Sequence, residues 1–264
     1  INFHIVYPPV LYFPLGNKVP QCLRQKPEPG DKPALVMGCI FAILMPLVIL
    51  LIFGFIYGNK PAAEGEAYTF MEKSFSALCC ISICSGGLMG LPLLVSEYRE
   101  RKILKRFQVT PVSPTKLLTV EFAIYILYSA ASMLLLFPVA ALFWQVRLHG
   151  SLTLFLGCWL LTMLSTLSLG LLVGGIAKNQ KTASVIACLL YFPMLFFSGI
   201  TVPLEVMPDI VQKIVLCMPL TQGMQLMQTA FLGLPINNSL LTFAFLSIVT
   251  LLCFCSAVKY FKWE

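Results

Sequence analysis

Charged side chains are scarce in this chain. Of its 264 residues, 11% are Asp, Glu, Lys or Arg and 58% are hydrophobic, whereas a soluble domain has about a quarter of its residues charged. A chain of this length with so few charges lacks the polar side chains that would cover a folded surface in water. The composition therefore excludes an ordinary soluble domain and indicates an integral membrane protein.

Motifs for nucleotide binding and for catalysis are missing too. No stretch matches the phosphate-binding pattern GxxxxGK followed by Ser or Thr, and the nearest fragments, around Lys18 and Lys60, lack its spacing. No HExxH, no intramembrane pair of acids and no Ser/Lys or Ser/His pair supports hydrolysis inside a membrane. No CxxC pair or His/Cys cluster suggests a metal site. We expect no catalytic residue, no metal and no cofactor on this chain.

Long apolar runs dominate the rest of the sequence. A run of roughly 20 apolar residues crosses ~30 Å of hydrocarbon as a helix, and a backbone in hydrocarbon must satisfy its own hydrogen bonds. The sequence therefore predicts an all-α polytopic membrane protein with six transmembrane helices. The predicted spans are 34–57, 75–95, 117–144, 152–177, 182–200 and 239–258.

The first 33 residues form a separate segment. They hold seven prolines, too many for a continuous helix. We expect residues 1–33 to be a Pro-rich cytoplasmic N-terminal segment that is either atypical or poorly ordered. Residues 34–264 are expected to form the six-span domain.

The distribution of cations predicts the orientation. If both termini lie on one side, that side carries fourteen of the 18 Lys and Arg residues and the other side carries the remaining four, Lys60, Lys73, Arg147 and Lys213. Loops rich in Lys and Arg face the cytoplasm. We therefore expect a multi-pass protein of the cell (cytoplasmic) membrane with both termini cytoplasmic, and a net charge of +7 that reports orientation and not a nucleic-acid partner.

The most informative stretch is residues 96–116, SEYRERKILKRFQVTPVSPTK, between the second and third spans. Its charge requires a solvated loop, and nothing from Glu97 to Val109 interrupts a helix. Thr110-Pro111 then disfavours helix, and Ser113-Pro114 is a good start for the next one. On these grounds alone the loop could be a cationic connector that only fixes topology.

The order of residues in two blocks goes further, because it resembles the permeases of the ABC-2 type transporter family. The first block is Glu97, Glu100, Arg101, Arg106, Thr110, Pro111, Val112 and Ser113, with Lys102-Ile103 where the family usually has Gly-Thr. The second block, after the fifth span, is Ser198-Gly199, Pro203, Glu205, Met207-Pro208, Pro219 and Gly233.

The resemblance implies a role for each block. The first would be a cytoplasmic coupling helix that docks into a separate ATP-binding subunit, through Glu97, Glu100, Arg101, Arg106, Phe107, Thr110 and Pro111. The second would form short outer re-entrant helices between spans five and six, involving Ser198, Gly199, Pro203, Glu205, Pro208 and Pro219. From the residues alone, the second block could instead be an amphipathic loop lying on the membrane.

As a function, the resemblance implies the permease subunit of an ABC exporter. It would move an amphiphilic substrate such as a drug, antibiotic or peptide outward, with ATP and Mg bound by the partner subunit and a second permease copy completing a homo- or heterodimer. Export of a polysaccharide or lipid-linked glycan is an alternative. From another class, an ATP-independent channel or a membrane-embedded enzyme remains, although aligned intramembrane charges that would favour it are missing.

Several single residues carry further expectations. Glu121 lies about one turn after Lys116, which favours a place at the membrane interface, where that lysine could pair with it, over a proton relay. His149 is expected to be solvated, and the cysteines inside spans to be small buried hydrophobes. The glycines at 86, 87 and 90 and at 170, 174 and 175 could let helices approach closely.

Overall fold

The computed structural model describes residues 33–58, 60–62, 68–100, 114–197, 208–234 and 239–260, with side chains described for all of these except 33–41, 114–117, 239–240 and 258–260. Within those ranges the regular structure is helical, apart from one isolated bridge between Pro61 and Thr69. The all-helical prediction is confirmed. The division of the chain at residue 33 stays a prediction.

The helices follow one another with short connections. They are α1 Pro33–Tyr57, α2 Phe70–Cys84, a π-helical segment Ser85–Gly90, α3 Leu91–Glu100, α4 Pro114–Trp144, α5 Leu152–Ile176, α6 Gln180–Phe197, α7 Asp209–Leu216, α8 Pro219–Leu232 and α9 Ser239–Tyr260.

Four helices are long and apolar enough to cross a membrane. They are Phe70–Glu100, Leu118–Trp144, Leu152–Ile176 and Gln180–Phe197, and the described parts of α1 and α9 add the shorter apolar helices Ala42–Tyr57 and Leu241–Ala257. Four of the six predicted spans thus have a helix of spanning length within the described residues.

The longest feature of the core is the continuous helix formed by α2, the π segment and α3. It has 31 residues, which at ~1.5 Å per residue gives about 46 Å. Thr69 and Glu72 begin it with a capping box, in which each side chain accepts a hydrogen bond from the other's backbone N–H. The predicted span 75–95 was too short at both ends, because the charged residues there are held by contacts inside the protein.

The π segment accommodates a proline in this long helix. The N–H of Leu91 donates to the carbonyl of Gly86, five residues back, and Pro92 follows directly. Because proline has no N–H and its ring collides with the preceding turn, a widened turn before it lets the helix continue.

Helix α5 packs against the long helix with unusually small spacing. A Cβ on Gly170 would overlap the carbonyl oxygen of Gly87, and a Cβ on Gly174 would stand 2.9 Å from Cβ of Val95. A Cβ on Gly87 would likewise stand 2.9 Å from a methyl group of Thr166. The predicted close approach of glycine-bearing helices is confirmed.

Burial separates central from peripheral helices. In the apolar 18-residue stretch of Phe70–Glu100, 83% of the residues are buried. In the corresponding stretches of Leu118–Trp144 and Gln180–Phe197, only 22% are buried. Helices α4 and α6 therefore present broad apolar faces outward, as expected of helices in contact with lipid or a partner.

The cysteine prediction is only partly right. Cys79, Cys80, Cys84 and Cys158 are buried, but Cys188 and Cys253 are half-buried, and Cys255 is exposed, as is Cys217. Cys255 lies on the exposed apolar face of α9, so its place inside a predicted span does not bury it within the protein.

The second predicted block contains two short helices. Pro208 precedes α7, and Pro219 is the first residue of α8, where its missing N–H costs nothing. Helix α8 is largely buried, packing on α2 and α5, and ends at Gly233 with φ of +70°. For α8 the hypothesis of a surface loop is wrong, whereas α7 exposes Ile210 and Ile214.

Candidate functional site

The predicted coupling residues fall at the boundary of the described chain. Glu97 and Glu100 lie in the last turn of α3. The other members of the set, Arg101, Arg106, Phe107, Thr110 and Pro111, lie outside the described residues. The same holds for Ser198, Gly199, Pro203 and Glu205 of the outer set. These assignments therefore stay predictions.

Three consecutive side chains at the end of α3 bond to three different helices. Tyr98 contacts α4, Arg99 contacts the end of α5, and Glu100 contacts the start of α6. Successive side chains on an α-helix point about 100° apart, so three in a row reach three directions. We call Tyr98, Arg99 and Glu100 the α3 hub.

Arg99 caps the carboxyl end of α5. Its guanidinium donates from Nη1 to the carbonyl of Ala177 at 2.8 Å and from Nη2 to the carbonyl of Gly175 at 2.7 Å. The last carbonyls of a helix have no partner within it and carry the negative end of the helix dipole. The guanidinium donates a hydrogen bond to each of two such carbonyls, and its positive charge is favourable at the negative helix end.

Glu100 binds the amino end of α6 in the complementary way. Its Oε2 accepts a hydrogen bond of 3.0 Å from the backbone N–H of Gln180, the first residue of α6. Asn179 accepts from the backbone N–H of Thr182 at 2.9 Å, as a residue capping the same helix. A carboxylate at this positive helix end is favourable.

Tyr98 completes the hub by donating to Glu121 of α4, with 2.7 Å between its hydroxyl and Oε1 of the carboxylate. The side chain of Glu121 is only 4% exposed. We had predicted an interfacial place beside Lys116, whose side chain is outside the described part. The observed partner is Tyr98, so Glu121 serves as a buried contact between α3 and α4.

Sequence reasoning missed two hub members. Tyr98 was not considered, and Arg99 was counted only as one of the cations that fix orientation. A signal existed, because α5 ends in Gly-Gly-Ile-Ala, which offers no polar side chain for its own last carbonyls. The partner, 76 to 78 residues earlier, was not identifiable without the fold.

The opposite end of the long helix carries a second polar cluster, centred on Glu72. Its Oε2 accepts from the backbone N–H of Thr69 at 2.8 Å, and its Oε1 accepts from the backbone N–H of Arg147 at 3.1 Å. Nε2 of His149 lies 3.0 Å from the same Oε1 and acts as donor to an ionised carboxylate. Glu72, predicted in a loop, is a buried residue of the first turn of α2.

Further hydrogen bonds hold the loop between α4 and α5 to α8. The backbone N–H groups of His149 and Gly150 both donate to the carbonyl of Phe231 near the end of α8, at 3.1 and 3.0 Å. The indole of Trp144 donates to the carbonyl of Gly54 in α1 at 2.8 Å. His149 is exposed, as predicted, but its ring also contacts Glu72, and its loop is held between α2 and α8.

A shallow, open apolar groove lies on the exposed face of α6. Its lining comes from one helix alone, Ser184, Val185, Cys188, Leu189, Phe192 and Pro193. A groove made by one helix is open on its other side, so it can hold an acyl chain or another helix but does not enclose a ligand. Within the described chain, no group of three His, Cys, Asp or Glu residues could hold a metal.

Comparison with known proteins places this arrangement in a family. The family model for the ABC-2 type transporter matches residues 35–232. The probable multidrug ABC transporter permease YbhS of Escherichia coli K12 is 26% identical over 178 residues, 67% of this chain and 46% of that protein. The inner membrane transport permease YhhJ of the same strain is 29% identical over 133 residues, 49% of this chain and 35% of that protein.

The chain thus spans about half the length, or less, of the curated relatives that it matches. The family match is broader with respect to this chain, since it covers more than half of it and includes the long helix, the α3 hub and α8. This protein belongs to the ABC-2 type transporter family.

Proposed function

We propose that this chain is the transmembrane permease of an ABC exporter and that segment 101–113 couples it to an ATP-binding subunit. The observation that carries the proposal is the α3 hub. The charged segment, which fits a docking element, directly follows three side chains that bind α4, α5 and α6. A force applied to the segment therefore acts directly on three consecutive residues, each of which is bonded to a different helix.

The proposed orientation puts the α3 hub at the cytoplasmic face. Arg99, Lys178 and Lys181 lie at this end, five further cations follow Arg99 in the sequence up to Lys116, and basic residues favour the cytoplasm. Arg147 and His149 then lie at the outer face. With α1 and α9 as further spans, the chain crosses the cytoplasmic membrane six times and has both termini inside.

The energy source is a separate subunit. The chain has no phosphate-binding loop, and membership of this family implies an ABC ATP-binding partner. ATP and Mg bind to that partner and not to the permease. The apolar faces of α4 and α6, which carry exposed Leu127, Leu134, Val185 and Leu189, offer surface to a second permease copy and to lipid.

The cargo that we propose is an amphiphilic small molecule. One relative is named a probable multidrug permease, and the groove on α6 is apolar with few polar atoms, which suits an amphiphile better than a glycan. Export of a lipid-linked glycan is the competing cargo, since a lipid tail would fit the same groove.

Purification of the tagged chain from its native membrane tests the function. We expect an ATP-binding subunit to copurify, and the reconstituted complex to move a bound amphiphile, identified by mass spectrometry, only when ATP is hydrolysed. Replacing Arg101, Arg106 and Phe107 together with alanine should release the ATP-binding subunit, whereas Lys213→Ala, at the other face, should not. Transport that proceeds without ATP would contradict the proposal and favour a channel.

A further inference from the structure

Two members of the α3 hub, Arg99 and Glu100, bind neighbouring helices at their ends. Arg99 bonds to the last carbonyls of α5, and Glu100 bonds to the first amide of α6. The connection between these two helices is the short turn 177–179. The two side chains therefore hold this turn from both directions, with a cation on the negative helix end and an anion on the positive one.

The packing above the hub keeps these bonds aligned. Gly174 lies against Val95 and Pro92, and Gly170 lies against the carbonyl of Gly87. Contacts this close leave no room for α3 to slide along α5 by one residue. Beyond Gly174, the polar bonds of the hub join the final turn of α5 and the first residue of α6 to α3.

The third member attaches a helix that otherwise contacts α3 weakly. Helix α4 is largely exposed, since only 22% of its apolar stretch is buried. The bond from Tyr98 to Glu121 joins it to α3 with a buried carboxylate as acceptor.

We propose that Tyr98, Arg99 and Glu100 are positioning residues that make the cytoplasmic ends of α4, α5 and α6 follow α3 as one body when the ATP-binding subunit moves segment 101–113. This inference rests on the proposed function. It assigns the transmission of the stroke to three side chains within the permease, separate from the residues that dock the partner.

One intramolecular distance tests the inference. Nitroxide labels are placed at Ala123 of α4 and Lys178 of the turn, both exposed, in a chain whose exposed Cys217 and Cys255 are replaced with alanine. The distance is measured in the assembled complex without nucleotide and with ATP trapped. We expect a change of less than about 2 Å, the scale of small helix shifts, because both labels follow α3.

Two variants then separate the bonds. With Arg99→Gln the turn should no longer follow α3, and with Tyr98→Phe α4 should no longer follow it. In both variants ATP should change the distance by more than about 2 Å. Arg99→Lys, which keeps the charge but not the paired bonds, should fall between. Lys181→Gln removes an exposed cation next to the same turn and should behave as the unmodified chain.

The outcomes distinguish the two levels of the account. If no ATP-binding subunit copurifies with the unmodified chain, the proposed function is wrong and the inference with it. If the complex assembles and hydrolyses ATP, but the distance changes in the unmodified chain or stays constant in both Arg99→Gln and Tyr98→Phe, the proposed function stands and the hub inference is overturned. A variant that only loses stability would lower the yield without changing the response to ATP.

Discussion

The two ends of the long helix use polar side chains in opposite ways. At the α3 hub, bonds radiate from three consecutive residues to three helices. At the other end, bonds converge on one carboxylate, Glu72, from its own cap and from the loop after α4. Bonds from one helix to three others can transmit a displacement of that helix to all three. Bonds that converge on one carboxylate hold a helix start and a loop in place.

This difference assigns separate roles to the ends. The Glu72 cluster should contribute to stability and not to coupling, because its partners are short loops and a helix cap. The hub should contribute to coupling, because it directly precedes the charged segment 101–113. Substitutions at the Glu72 end should therefore change unfolding while leaving the cargo moved per ATP unchanged in complexes that remain folded.

The largest effect is expected at Gly170 of α5, which packs against the middle of the long helix, between its two ends. Its Cβ in Gly170→Ala would overlap the carbonyl oxygen of Gly87, and backbone cannot move aside as a side chain can. We expect a loss of about 3 kcal/mol in the free energy of unfolding, the upper part of the range for overpacked cores, measured in mixed detergent micelles.

Gly157 offers the matched control on the same helix. Apart from its chain neighbours and the backbone of its own helix, no heavy atom of the described chain lies within 4 Å of the Cβ that Gly157→Ala adds. The substitution should be neutral or stabilise by up to about 1 kcal/mol through helix propensity. Equal losses at the two positions would show that α5 and the long helix are not in close contact.

Removal of the Glu72 carboxylate should come next. Glu72→Ala leaves the backbone N–H groups of Thr69 and Arg147 without their acceptor, and we expect a loss of about 2 kcal/mol, from the cap and the orphaned donors together. Glu72→Gln keeps an acceptor oxygen and should lose about half as much. A fall in cargo moved per ATP in folded complexes would contradict the division between the ends.

A smaller effect is expected from one hydrogen bond of an indole. Trp144→Phe removes the N–H that bonds to Gly54, whereas Trp159→Phe removes a buried N–H that has no partner in the described chain. Because both lose the same atoms, the difference isolates the bond. Thermal unfolding should show Trp144→Phe as the more destabilised by about 1 kcal/mol, and the reverse order would contradict the assigned contact.

The smallest effect should come from His149. Its side chain is 45% exposed, and a hydrogen bond open to water contributes about 0.5 kcal/mol, the lower end of the usual range. His149→Ala should therefore change the unfolding midpoint only slightly, since the backbone bonds of this loop to Phe231 remain. A loss as large as that of Glu72→Ala would show that the ring, and not the carboxylate, organises the cluster.

The elements of the fold were predictable from composition and apolar length, because hydrocarbon permits little other than helices. The glycine pattern also predicted close helix contact, since small side chains are the means of achieving it. The helix ends were not predictable. Glu72 lies outside the predicted span, but its bonds to Thr69 and to the loop after α4 let the long helix begin before it.

The site was predictable only in part. The order of Glu97, Glu100 and the following residues indicated a coupling element, because it resembles a family motif. The role of Arg99 depends on the carbonyls at which α5 ends, and no local pattern marks a bond to backbone groups 76 to 78 residues away. The docking segment stays a prediction, and the bonds that join α3 to its neighbours behind that segment were not predictable.

The amount of cargo moved per ATP hydrolysed, in reconstituted Arg99→Gln complexes, tests the central claim most directly. The account predicts that the ATP-binding subunit still copurifies and still hydrolyses ATP, while cargo moved per ATP falls by about tenfold, as expected on losing a pair of charge-assisted bonds. Lys178→Gln, which removes an exposed cation from the same turn, should keep the normal ratio. An unchanged ratio in Arg99→Gln would contradict the account.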